Sequence, residues 1–149
     1  MKIKKIMLTS ALLLSNFAHA GIIVRTPTGS PLDICSALTG AWNGSGTITA
    51  TGLECEYTGT VQITPKDDTS FSSTLALSKV SGSGIFSGLC TDLKKTLAGA
   101  CNNGAVTIND DGVDLSGSLN SAGNSATLTG TVTIDGIKVN VENMVLTKQ

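Results

Sequence analysis

Four cysteines, Cys35, Cys55, Cys90 and Cys101, are the residues with the plainest chemistry in this 149-residue chain. An even set of this kind in an oxidising compartment reads as two disulfides, with three pairings open. The short segment between Cys90 and Cys101 favours joining those two, which leaves Cys35 for Cys55. A zinc site would need a Cys-x-x-Cys pair or histidine partners. Neither is present, since the single histidine is His19. Two groups of acids come next. Glu54 and Glu56 stand two apart on a predicted strand, hence on one face and roughly 7 Å apart, a separation compatible with paired-carboxylate glycoside hydrolysis. They alternate with threonines on an outward face, however, where nothing raises a carboxyl pKa. Asn109-Asp110-Asp111-Gly112-Val113-Asp114 is rich in oxygen ligands but lacks the bidentate acid of a calcium loop. An Asp-Gly hairpin explains the same letters. Serines are abundant, yet none has a histidine or a Ser-x-x-Lys base. No catalytic residue, metal site or cofactor is expected, and the protein reads as a non-enzyme.

The ends and the charge narrow the partners. Met1-Lys2-Ile3-Lys4-Lys5 is a basic start, Ile6 to Phe17 a mainly apolar run, and Ala18-His19-Ala20 a small-x-small cleavage site before Gly21. Residues 1–20 are therefore expected to be a signal peptide, and the protein to be periplasmic or secreted. The apolar run is short for a spanning helix, and no second one follows it. The net charge is −1, and removal of Lys2, Lys4 and Lys5 with the leader deepens the acidic excess. The remaining basic residues are scattered, with no stripe to follow a phosphate backbone, so nucleic acid is excluded as an expected partner.

The elements that must position the cysteines are strands. Residues 21–33 read as an exposed arm, and Ser30-Pro31-Leu32-Asp33 as the start of a short helical turn ending near Leu38. From Gly40 onward the chain alternates. Leu53, Cys55, Tyr57, Gly59, Val61 and Ile63 share one face against Glu54, Glu56, Thr58, Thr60 and Gln62. Phe71, Ser73, Leu75 and Leu77 repeat the pattern, Ser81-Gly82-Ser83-Gly84 breaks it, and Ile85-Phe86 starts another strand. Thr91 to Leu97 reads as a helical turn with a strand as its alternative, because Leu93 and Leu97 lie four apart. Further strands follow around Asn109-Asp110-Asp111-Gly112 and Asp135-Gly136, both hairpin signals. The last strand is expected to bulge near Asn143. About eight antiparallel strands in one domain, 34–149, close most economically as an up-and-down barrel, with a β-sandwich as the alternative. Outward threonines, serines and acids, without aromatic girdles, exclude a lipid-facing barrel.

At Cys35-Ser36-Ala37-Leu38-Thr39-Gly40-Ala41-Trp42 the chain resembles the opening of calycin barrels, the lipocalin and avidin-like families, which begin their first strand with Gly-x-Trp. That resemblance implies a calycin-like barrel whose Trp42 plugs the closed end beneath a basic residue of the last strand. Lys148 would supply it, although the family usually has arginine there and this chain's only arginine is Arg25. Avidins line the biotin site with several tryptophans. Trp42 is the only one here, so biotin is not the expected ligand.

The expected function is that of an exported, monomeric binding protein. Its ligand would be a small apolar molecule in the barrel mouth, with Trp42, Tyr57 and Phe71 as candidate ligand-binding residues. An extracytoplasmic protein bound through the loops is the other use of the same barrel. A structural, fimbrial-type subunit assembling by strand donation through Gly21-Ile22-Ile23-Val24 is the alternative from another class. The near-terminal tyrosine usual in such subunits is absent from Val145-Leu146-Thr147-Lys148-Gln149.

Overall fold

The computed structural model of the protein describes residues 34–149. The expected signal peptide, the arm and the start of the helical turn lie outside the described residues. After a 3-10 turn (Ile34–Leu38) come eight strands: β1 (Gly40–Ala50), β2 (Leu53–Pro65), β3 (Ser70–Ser83), β4 (Leu93–Asn102), β5 (Ala105–Asp110), β6 (Val113–Leu119), β7 (Ser125–Ile134) and β8 (Ile137–Lys148). Each pairs antiparallel with the next, and β8 returns to pair with β1, so the sheet closes into a barrel. The architecture is compatible with a calycin-like fold. It is a closed barrel rather than the β-sandwich held as its alternative.

Alternation makes these strands. Residues two apart share a face, and β2 is buried at Leu53, Cys55, Tyr57, Val61 and Ile63 while Glu54, Glu56, Thr58, Thr60 and Gln62 are exposed. Two tight hairpins form where expected. Asp111 and Gly112 take φ of 46° and 74°, and Asp135 and Gly136 take 50° and 80°, the left-handed pair that such turns require. The expected bulge falls at Glu142–Asn143, since Thr47 pairs with Asn143 but Ile48 with Val141.

Two expectations along β3 and β4 are corrected. Residues 93–102 form a strand, not a helical turn. Leu93 and Leu97 fit either period, but β4 pairs from Leu93 to Ala100 with β3, which settles the ambiguity in favour of extended chain. Ser81-Gly82-Ser83 does not break β3; it pairs with Glu54–Glu56 of β2. The break comes at Gly84, where φ is +91° and an added Cβ would lie 2.2 Å from the Gly52 carbonyl oxygen. Ile85 and Phe86 consequently fall in a loop, exposed, rather than starting a strand.

The disulfides are Cys35–Cys101 and Cys55–Cys90, not the favoured Cys35–Cys55 and Cys90–Cys101. The reason is β4. Its ten residues run the height of the barrel, on the order of 30 Å, so Cys90 and Cys101 lie at opposite ends, far beyond disulfide reach. Cys101 meets the 3-10 turn at one end. Cys55, toward the other end of β2, meets Cys90.

The end bounded by the 3-10 turn is plugged by Trp42, with a smaller pocket of about 210 Å³ between that turn and the β2–β3 turn. Trp42 is fully buried, and its indole N–H donates to the Leu38 carbonyl at 2.7 Å. Lys148 of β8, paired across from Trp42, sets its ammonium 5.5 Å from the ring centroid and donates to the Ala37 carbonyl. This is the arrangement implied for Trp42, with lysine as the base. In the β2–β3 turn, the Asp67 carboxylate accepts from the backbone amides of Thr69 and Ser70 and from both hydroxyls.

Trp42→Phe is expected to cost about 2–4 kcal/mol, from the lost volume and the orphaned Leu38 carbonyl, measured by urea unfolding. Hydrogen bonds from Ser70 and Thr69 hold the Asp67 pKa down at about 2. A depressed folded-state pKa contributes stability above the unfolded value that is lost as pH falls through the folded one. The destabilisation caused by Asp67→Ala, measured by thermal melts, is therefore expected in full at pH 6 and to fade between about pH 4 and pH 2.

Candidate functional site

The opposite end of the barrel holds a cavity of about 350 Å³. That lies at the small end of the range for small-molecule sites. Its walls come from inward positions of several strands, among them Ile48 of β1, Leu77 of β3, Leu93 of β4, Leu115 of β6 and Val141 of β8. These positions face inward for one reason, the two-residue repeat of each strand. They leave space because the side chains there are aliphatic and moderate in size, while the large indole is spent at the other end.

The loop from 84 to 92 forms part of this wall. Beyond Leu77, β3 leaves β4 and continues beside β2 alone. The loop then turns back across that two-stranded extension. Cys90 lands against Gly82, bonded to Cys55, and Thr91 follows it into the cavity lining. The Asp92 carboxylate accepts from the Lys79 backbone amide at 2.9 Å, fixing the point where the loop rejoins the barrel. A register shift sets Tyr57 opposite Lys79 although Glu56 is opposite Ser81, so Val80 is the extra residue of a bulge.

Polar groups around the cavity are few, and their states differ. Lys95 lies on the inward face of β4, but its ammonium is 2.7 Å from the Asp111 carboxylate and donates to the Asp111 carbonyl at 3.0 Å. Its stem lines the cavity while its charge is matched at the rim. Tyr57 is only 4% exposed. Among the described residues its hydroxyl is the buried side-chain polar atom without a hydrogen-bond partner. Burial pushes its ionisation upward. The Thr91 amide offsets part of that rise without reaching hydrogen-bond geometry, and the Asp92 charge adds to it. The phenol is therefore neutral across the physiological range. By contrast, the buried Ser73 hydroxyl donates to the Leu97 carbonyl at 3.2 Å.

The three candidate binding residues do not come together. Tyr57 lines the cavity. Trp42 plugs the other end, and Phe71, paired with Pro65 and Gly99, lies toward that end too, its ring against Gly99. Glu54 and Glu56 are exposed, with Glu56 accepting from the Ser81 hydroxyl at 2.7 Å. Asp110 and Asp111 are drawn to separate partners, the Ala98 amide and Lys95. Sequence reasoning missed Thr91, Leu93 and Lys95 as wall residues. The signal was there in the strict alternation Thr91, Leu93, Lys95, Leu97, Gly99, Cys101, which a helical reading of Leu93 and Leu97 conceals.

No protein-family model matches the chain, and no curated protein matches its sequence. The site therefore stands on its own geometry. The Cys55–Cys90 disulfide closes a segment with a sequence separation of 35. Replacing both cysteines by alanine is expected to cost about 4 kcal/mol on the chain-entropy model. Hydrogen exchange is expected to rise selectively over residues 84–92, with the Trp42 end unchanged as long as Cys35–Cys101 is intact.

Proposed function

We propose that this protein is an exported, non-enzymatic carrier that holds a small apolar molecule in the mouth of its barrel. The observation that carries the reading is the aliphatic cavity of about 350 Å³ inside a closed barrel whose other end is plugged by Trp42. A barrel of eight strands is just wide enough either to be filled by its own side chains or to hold one small ligand. Here Trp42 plugs one end, and the larger cavity at the other has room for a small ligand. The two disulfides are consistent with an extracytoplasmic location, and the basic, apolar, small-x-small leader at residues 1–20 supports a cleaved signal. A distant calycin relationship, of lipocalin or avidin type, fits the meander, the Gly40-Ala41-Trp42 opening and Lys148 over the indole. Strand donation as in a fimbrial subunit finds less support, because among the described residues β1 and β8 pair with each other and close the sheet, leaving only short stretches such as residues 78–83 of β3 paired on one side.

A second use of the same barrel, binding of an extracytoplasmic protein, is favoured by one observation. Ile85 and Phe86, in the loop beside the mouth, are 85% and 49% exposed. Two adjacent large apolar side chains exposed on one loop form a small apolar patch of the kind a partner can cover.

Native against denaturing mass spectrometry of protein purified from its own compartment tests the carrier reading. Extra mass that vanishes on denaturation is expected, and it identifies the ligand. In vitro, Leu93→Trp places an indole in the partly exposed mouth and is expected to weaken binding of a neutral naphthylamine dye at least tenfold while leaving the circular dichroism unchanged. Undiminished dye binding in that variant would place the dye elsewhere and remove the cavity as the site. Under the second use, Phe86→Asp would instead abolish capture of the partner and leave dye binding intact.

A further inference from the structure

The wall of the cavity carries a donor with nothing to donate to. Leaving a buried hydroxyl unsatisfied is costly, and buried polar groups are as a rule paired. The Ser73 hydroxyl inside the same barrel follows that rule, while the Tyr57 hydroxyl does not. Its place is set from three sides. The β2 register holds it opposite Gly46 and Lys79, and the two-residue repeat turns it inward beside Cys55. The disulfide at Cys55 brings the loop, and with it Thr91, to the cavity wall. The Thr91 amide offsets part of the effect of burial on the phenol without forming a hydrogen bond to it. What remains for a guest is the hydroxyl proton.

The charges near the mouth point to what the guest is not. Lys95 is matched by Asp111, so the inward cation on β4 is not free to hold an anion. Asp92 is close enough to Tyr57 to oppose its ionisation, and Asp135 stands in the lining near the β7–β8 turn. A carboxylate or phosphate guest would meet these acids in a mostly aliphatic chamber, where an unpaired charge is costly.

We propose that the cavity selects an uncharged, mainly apolar molecule with one hydrogen-bond acceptor, a ketone, ester, ether or similar group, seated inward against the Tyr57 hydroxyl. This rests on the carrier reading and adds orientation and ligand class to it. The acceptor sits against the wall beside Thr91, and the hydrocarbon fills the aliphatic remainder of the cavity.

Benzophenone and diphenylmethane differ in a carbonyl against a methylene, and diphenylacetate supplies an anion of similar bulk. Displacement of the neutral naphthylamine dye from the full-length protein measures all three on wild type and on Tyr57→Phe. That variant is close to isosteric and removes an unsatisfied buried atom, so its melting temperature without ligand is expected to equal or exceed that of wild type. Wild type is expected to bind benzophenone about three- to tenfold more tightly than diphenylmethane, the range of one neutral hydrogen bond. Diphenylacetate is expected to be the weakest. In Tyr57→Phe the ketone advantage is expected to vanish, with diphenylmethane affinity unchanged or improved. Equal affinities in wild type, or a ketone preference that survives in Tyr57→Phe, would overturn the assignment of Tyr57 and leave the carrier reading standing. Tightest binding by diphenylacetate would overturn the uncharged class. If wild type binds neither the dye nor any probe, the carrier reading itself falls.

Discussion

The pairing of β1 with β8 is the constraint from which the rest follows. β1 is hydrogen-bonded on one side to β2 and on the other to β8, so the first and last strands of the meander are joined and the inward side chains face a common interior. Closure demands a fixed stagger between first and last strands. The bulge at Glu142–Asn143 absorbs the mismatch, letting Met144 and Leu146 stay inward after Val139 and Val141. The same register sets Lys148 across from Trp42, so sheet closure and the plug at one end are two consequences of one alignment.

Volume then decides what the interior becomes. Aromatic residues make up 3% of the chain, and the one tryptophan is used where the 3-10 turn crosses the barrel. Toward the mouth the inward positions are mostly Leu, Val, Ile and Met, with Tyr57 and Lys95 among them. A barrel of this strand number encloses roughly the space its side chains fill, and a set this small leaves a residue of it empty. The two disulfides divide along the same axis. Cys35–Cys101 fastens the turn across the plugged end, and Cys55–Cys90 fastens the loop that forms part of the wall at the open one.

Much of this was legible in the letters. The faces of β2, β6 and β7, the hairpins at Asp111-Gly112 and Asp135-Gly136 and the late bulge come from local rules, chiefly a repeat of two and a turn that needs positive φ, while Trp42 beneath Lys148 is what the resemblance to calycin openings implies. The expected number of strands equals the observed one through two compensating errors, since Ile85-Phe86 reads as the start of a strand and Thr91 to Leu97 as a helical turn, where the structure has a loop and the start of β4. Leu93 and Leu97 lie four apart, a spacing that helix and strand share, and only the ladder to β3 chooses between them. Tyr57 was legible as inward-facing. That it stands at the mouth while Phe71 stands toward the other end was not, because face is a local property and height in the barrel is a matter of register.

What the sequence determined by itself was the class of fold, the inward and outward faces, the leader-like start and the oxidising chemistry of four cysteines, because each depends on neighbours within a few residues. The tertiary structure decided which cysteines meet, which end is plugged and which polar atom is left without a partner. Those depend on strands brought side by side from distant parts of the chain. Cys90 and Cys101 are close in sequence and far apart in the barrel, with β4 between them. Cys55 and Cys90 are far apart in sequence and bonded, because β3 overshoots β4 and the returning loop packs back across the extended β2–β3 pair, setting Cys90 beside Cys55.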